Sequence, residues 1–188
     1  RIMNESEIDM ILVGDSAAMV MHGESSTIPM DVTRMQQHVS AVVKGAPNKF
    51  VVADMPFLSF RQSLDHSLQA VKAFMQAGAH AIKLEAVDGH EALIKHIVQS
   101  GIPVMGHVGL TPQFVNQFGG FKVQGKDQNS DQKIMADVQK LQELGCFSVV
   151  LECVPADLAS RVTAESDLIT IGIGAGREVD GQVLVMHD

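Results

Sequence analysis

Short apolar runs, each closed by a polar residue, recur along the chain, with helical stretches and a glycine between them. The runs are Met10 to Val13 closing at Asp15, Phe50 to Ala53 closing at Asp54, and Ala81 to Leu84 closing at Glu85. They continue with Ile102 to Met105 closing at His107 and Ser148 to Leu151 closing at Glu152. Leu168 to Ile173 then runs into Gly174-Ala175-Gly176, and Gln182 to Met186 makes the seventh. Runs that are apolar at every position, not at alternate ones, suit strands buried on both faces, as in parallel sheets.

Between the runs the period changes to that of a helix. Leu64, Leu68, Val71 and Met75 fall on one stripe, Leu93, Ile94, Ile97 and Val98 on a second, and Ile134, Val138 and Leu141 on a third. Gly78, Gly101 and Gly145 follow the last helical turns, where a left-handed residue ends a helix at no steric cost to glycine. Thr111-Pro112 reads as an N-cap with a first-turn proline. Strand–helix–glycine–strand alternation without a linker predicts an α/β protein with a parallel sheet, one domain over residues 1–188. Seven strands fit a (β/α)8 TIM barrel better than an open sheet, although they are one short of eight.

Composition narrows the function classes. A net charge of −8 and the absence of Trp and Tyr leave no basic stripe and little stacking surface for nucleic acid. No apolar run approaches the ~18 residues of a membrane span. Cys146 and Cys153 form neither a zinc spacing nor a disulfide framework, as expected of a reducing, cytoplasmic setting. The 11 methionines read as core filler.

In a barrel the C-terminal strand ends converge on one mouth, where the active site lies. Here those positions hold Asp15-Ser16, Asp54, Lys83 with Glu85, His107 and Glu152. Four carboxylates in one small volume repel unless protons or a cation neutralise them, and oxygen ligands without paired histidines or cysteines favour Mg²⁺. Each residue also has a plainer reading. Asp15 can cap the next segment, Asp54 can serve the Met55-Pro56 turn, Lys83 and Glu85 can form a structural ion pair, and His107 can be a hydrogen-bonded core histidine. Glu152, set in Leu151-Glu152-Cys153-Val154, is the hardest to explain structurally. Gly174-Ala175-Gly176 can cradle an anion or only admit a close backbone approach.

These motifs carry a family resemblance. Val13-Gly14-Asp15-Ser16, Ser26-Thr27-Ile28-Pro29, Ala53-Asp54-Met55-Pro56-Phe57 and Lys83-Leu84-Glu85 resemble signatures of the ketopantoate hydroxymethyltransferase family. Gly106 to Gln113, Phe118 to Gly125, Leu151 to Pro155, Ile171 to Gly176 and Asp180 to Asp188 continue the likeness across the whole sequence. Ala17-Ala18 stands where many members have Leu-Gly. The resemblance implies strands two to eight of a (β/α)8 barrel, the first strand and the C-terminal helices lying outside this sequence.

It also implies a reaction: transfer of a one-carbon unit from 5,10-methylenetetrahydrofolate to 3-methyl-2-oxobutanoate through a Mg²⁺-stabilised enolate, giving 2-dehydropantoate for coenzyme A synthesis. By the same resemblance Asp15, Asp54 and Glu85 hold the metal. Asp15, Ser16, Asp54 and Lys83 bind the oxo acid, Glu152 accepts the proton, and the protein is a homo-oligomer, often a decamer. His107 receives no proton-transfer role. One alternative is a Mg²⁺-dependent 2-oxo-acid lyase or mutase on a related barrel, expected to show a cysteine-containing loop where this chain has Gly106-His107-Val108-Gly109-Leu110-Thr111-Pro112. The other is a non-catalytic relative that binds ligand without turnover.

Overall fold

In the computed structural model, which describes residues 1–187, the strands lie side by side in chain order. They are β1 (Met10–Val13), β2 (Phe50–Asp54), β3 (Ala81–Lys83), β4 (Val104–Gly109), β5 (Ser148–Glu152), β6 (Ile169–Ile173) and β7 (Gly181–Gln182). Each pairs with the next in parallel, giving a seven-stranded α/β sheet. The helices are α1 (Ile2–Glu5), α2 (Ala17–Val20), α3 (Val32–Gly45), α4 (Leu64–Gln76), α5 (Glu91–Gln99), α6 (Val115–Phe118), α7 (Gln128–Glu143) and α8 (Ala156–Glu165). None is long and apolar enough to cross a membrane among the described residues.

The period-2 pleat sorts side chains to two faces. Val51, Ala53, Ile82, Leu84, Val104, Val108, Val149 and Leu151 pack with the helices in the main core. Val52, Ala81, Met105 and Val150 form a second cluster, against which Met10 and Leu12 of β1 and Ile171 and Ile173 of β6 also pack. Residues from strands far apart in the order therefore meet over one face, and the sheet curls around them. One pleat further along that face stand Asp54, Lys83, His107 and Glu152.

Several expectations need correction. Of the stripe on α4, Val71 is buried and Leu68 and Met75 pack partly buried against the core, but Leu64 at the first turn is 43% exposed; Ser67, Ala70 and Phe74 complete the buried face. β4 begins later and runs through His107 to Gly109, so that histidine lies within the strand and not after it. The seventh run pairs only at Gly181 and Gln182; Leu184 and Met186, 86% and 62% exposed, have left the sheet. Pro112 does begin a turn, a short 3₁₀ helix (Pro112–Phe114), but Thr111 makes no side-chain cap to it. Gly78, Gly101 and Gly145 do adopt positive φ, as expected. So does Gly176, where a Cβ would lie 2.6 Å from that of Ala156, so at that position only glycine fits.

The β3–α5 loop turns sharply through Ala86 (φ 61°) and ends on His90, which is buried with its ring edge-on to Phe60 at 5.0 Å. Neither ring nitrogen has a hydrogen-bond partner among the described residues. Burial first, and the neighbouring Arg61 charge second, lower the pKa of His90 to about 4. The unfolded chain therefore takes up this proton near the ordinary value of about 6.5 while the folded chain resists it. Stability from this group is complete above that value and is lost as pH falls toward 4. The His90→Phe protein, which keeps the ring packing, is expected to lose less of its Tm between pH 7 and pH 4.5 than the wild type, by several degrees. Equal losses in the two proteins would show that His90 does not carry this acid sensitivity.

Candidate active site

The parallel register places the polar side chains in steps. Asp54 at the end of β2 lies opposite Lys83 of β3; Lys83 lies opposite Met105, one pleat short of His107; and His107 lies opposite Val150, one pleat short of Glu152. This stagger is the shear of a curling sheet, and it lets each long side chain reach diagonally to the next. Beyond the strand proper, Leu84 N–H donates to Met105 O and Ala86 N–H to His107 O. Those two bonds carry the chain past β3 alongside β4 and fix Glu85 between them.

Asp15, Asp54, Lys83, Glu85 and His107 are all at least 97% buried. Lys83 Nζ stands 2.9 Å from Asp54 Oδ1 and 3.0 Å from His107 Nδ1. An ammonium has no lone pair, so Nδ1 accepts and the imidazole proton sits on Nε2. That nitrogen faces Glu152 Oε2 at 3.2 Å, in an approach too oblique for a well-formed hydrogen bond. Burial, followed by the Lys83 charge, lowers the His107 pKa, which keeps the ring neutral. Glu85 Oε1 is 3.8 Å from His107 Nδ1, and with both atoms acceptors there is no bond between them.

Charge is the dominant feature. Burial alone would lower the Lys83 pKa, but Asp54, Glu85 and Asp15 outweigh it and hold the ammonium protonated well above its usual range. Burial and then the Asp54 and Glu85 charges push Asp15 well up. Glu85 is pushed up to about 8 by burial, against the pull of Lys83 and with the repulsion of Asp54. With all three carboxylates ionised, one ammonium would leave two negative charges in a volume almost without solvent; the upward shifts of Asp15 and Glu85 mean that protons relieve this charge where no cation does.

Hydrogen bonds organise the carboxylates. Gln113 Nε2 donates to Asp15 Oδ2 at 2.8 Å and to Met55 O at 2.9 Å, while Gln113 N–H donates to Glu85 Oε2 at 3.0 Å. Asp15 N–H donates to Asp54 Oδ2 at 3.3 Å. Asp15 and Glu85 thus each have one oxygen held by an N–H group and a second free of one, while Asp54 has Oδ2 on the Asp15 N–H and Oδ1 on the Lys83 ammonium. As they stand, no three Asp, Glu, His or Cys side chains among the described residues enclose a common point at ligand distances. The donor set nevertheless fits a hard divalent cation: three carboxylates, which with Lys83 carry a net negative charge once ionised, are oxygen donors of the kind such an ion prefers.

Of the residues expected from sequence, Asp15, Asp54, Lys83, Glu85 and Glu152 are brought together, with His107 at their centre. Ser16 begins the turn into α2, beside Asp15, and its hydroxyl makes no hydrogen bond among the described residues. Glu152 differs from expectation in one respect: it is the last residue of β5 and its side chain is 19% exposed, so it looks into the mouth instead of lying sealed in an apolar strand. Gln113 was quoted in a motif without a role. A polar residue just after Thr-Pro, on the first turn beyond a strand end, was the available signal. Gly109 was likewise unremarked; with φ 91°, a Cβ there would meet Glu152 O at 2.3 Å.

Three comparisons with known proteins bear on this arrangement. Among solved structures, a putative phosphonomutase from Burkholderia cenocepacia superposes with a TM-score of 0.69 at 15% identity, over 92% of this chain and 72% of that one. A 2,3-dimethylmalate lyase of the PEP mutase/isocitrate lyase superfamily gives 0.63 at 13% identity, over 91% and 61%. At such identities the likeness is one of fold. Sequence relatives are much nearer. The 3-methyl-2-oxobutanoate hydroxymethyltransferase of Bdellovibrio bacteriovorus is 56% identical over all 188 residues, which span 72% of its length. The enzymes of the same name from Coxiella burnetii and Francisella tularensis are 56% and 52% identical, the chain spanning 71% of each. The description of the ketopantoate hydroxymethyltransferase family matches residues 1–188 from end to end. The chain belongs to the ketopantoate hydroxymethyltransferase family.

Proposed function

We propose that this chain transfers a hydroxymethyl group from 5,10-methylenetetrahydrofolate to 3-methyl-2-oxobutanoate, forming 2-dehydropantoate in the route to pantothenate. The observation that carries this reading is the meeting of Asp15, Asp54, Lys83, Glu85, His107 and Glu152 at one end of the sheet, in a chain 56% identical to enzymes of that name. The seven strands are read as part of a (β/α)8 barrel, the chain as one catalytic domain, and the protein as a homo-oligomer. The lyase or mutase reading rests on fold likeness at 15% identity or less, and is the weaker for it.

Asp15, Asp54 and Glu85 would hold a divalent cation, taken as Mg²⁺. Bound there, it supplies Lewis acidity that polarises the keto group of a 2-oxo acid and acidifies the neighbouring C–H. Lys83, kept charged by its three carboxylate neighbours, places an ammonium where negative charge develops on the keto oxygen. The unengaged Ser16 hydroxyl, next to Asp15, is placed to donate to the substrate carboxylate. Glu152, the partly exposed carboxylate at the mouth, accepts the C3 proton. His107 lies beside that carboxylate, its Nε2 3.2 Å from Glu152 Oε2.

Two measurements test the reading. Asp54→Asn removes one of the charges a hard cation prefers, so Mg²⁺ binding by calorimetry and turnover should fall together. Turnover insensitive both to this change and to a chelator would remove the metal from the mechanism. Glu152→Gln keeps shape and hydrogen bonding but cannot accept a proton. Turnover should drop by roughly 10²–10⁴-fold, with fold and Mg²⁺ affinity preserved. Exchange of the C3 hydrogen of the oxo acid with deuterated solvent should slow in parallel. Exchange at the wild-type rate with transfer lost would move Glu152 to the folate half of the reaction, and both rates within a few-fold of wild type would make it structural.

A further inference from the structure

Gln113 is the one neutral side chain that ties the carboxylate cluster together. It is 96% buried, on the 3₁₀ turn that follows β4, and three of its contacts reach the ends of three other strands. Both hydrogens of its side-chain amide are used, on Asp15 Oδ2 at 2.8 Å beyond β1 and on Met55 O at 2.9 Å beyond β2. Its backbone N–H reaches Glu85 Oε2 at 3.0 Å beyond β3. The orientation of the amide is forced, because the two partners are a carboxylate and a carbonyl and only the nitrogen end can donate to both.

The choice of oxygens gives this clamp a purpose. Gln113 occupies Oδ2 of Asp15 and Oε2 of Glu85, and Asp15 N–H occupies Oδ2 of Asp54. Oδ1 of Asp15 and Oε1 of Glu85 receive no N–H donor among the described residues, and Oδ1 of Asp54 has only the ammonium of Lys83. A carboxylate free to rotate presents either oxygen; one held at a single oxygen presents the other in a fixed direction. Outer hydrogen bonds of this type orient metal-binding carboxylates and are worth roughly 10–100-fold in metal affinity.

We propose that Gln113 is a positioning residue for the cation: it fixes Asp15 and Glu85 by one oxygen each so that their remaining oxygens face the ion. This rests on the reading of Asp15, Asp54 and Glu85 as a cation site. Gln113 itself contributes no ligand, since its amide oxygen is turned away from the donors it serves.

The test uses the purified protein with Mg²⁺ alone as probe. Gln113→Leu preserves volume, removes both side-chain donors and leaves the backbone N–H on Glu85 in place. Gln113→Asn is the milder change, an amide one methylene too short to span Asp15 and Met55 together. Calorimetric Kd and the Mg²⁺-induced rise in Tm are read on each protein, beside the Tm without metal. The expected result is a 10–100-fold weaker Kd for Gln113→Leu and a smaller loss for Gln113→Asn, each with a cooperative melt. Should the leucine protein fail to fold, the asparagine protein carries the test alone. A lowered metal-free Tm with Kd within twofold of wild type would make Gln113 a staple for the loop and overturn the inference. Wild-type protein that binds no Mg²⁺ at millimolar concentration would overturn the cation site itself, and this inference with it.

Discussion

Three carboxylates and one ammonium held together out of water are the condition to which the rest of the structure answers. A like-charge pair about 4 Å apart costs about 4 kcal/mol at an effective dielectric near 20. Asp15, Asp54 and Glu85 act on Lys83 and on one another, and one ammonium cannot offset all three when they are ionised. The opposing force is apolar. Below the charges lies a layer of Val52, Ala81, Met105 and Val150, and outside the sheet the larger core binds strands to helices. Each fully buried aliphatic side chain is worth about 1.5–3 kcal/mol, and this burial is the favourable term set against the repulsion. The charged end of the sheet is thus braced by apolar packing beneath and around it.

Backbone geometry makes the bracing specific. Gly109 admits the carbonyl of Glu152 where any side chain would collide, and Leu110 N–H donates to that same oxygen at 2.8 Å. Gly106, three residues earlier, does the same on the outer face, where a Cβ would meet Leu141 Cδ1 of α7 at 2.4 Å. β4 is therefore pressed between β5 and α7 with no slack, and His107 has one place to be. Its position passes on to its neighbours: Lys83 meets the ring at Nδ1, which leaves the imidazole proton on Nε2, the side of Glu152.

Much of this was legible in the chain. Continuous apolar runs gave the strands, because strands covered on both faces need apolar residues at every position. The polar residue closing a run gave Asp54, Glu85 and Glu152, because a strand that leaves the core must end on something that tolerates the mouth, whereas His107 was found at a strand end that in fact continues to Gly109. What was less legible depends on packing or reach. The buried face of α4 is set by Phe74 and by small residues whose periodicity is faint, and Leu64 misled as an isolated strong signal. The end of β7 is set by its partner and not by its own apolar residues. Gln113 was unreadable as a clamp because its partners come from residues 15, 55 and 85, and no local pattern records a contact made across three strands.

That scatter along the chain has a kinetic side. Asp15, Asp54, Glu85 and Glu152 belong to four separate strand–loop units, so in the unfolded polymer they are far apart and their repulsion is screened by water and salt. Every strand pairs with its neighbour in sequence, so the sheet can grow one unit at a time with only modest loop closure at each step. The carboxylate charges come together only as these units dock and solvent leaves their common end, so a repulsion the unfolded chain feels weakly is met at close quarters in the folded one.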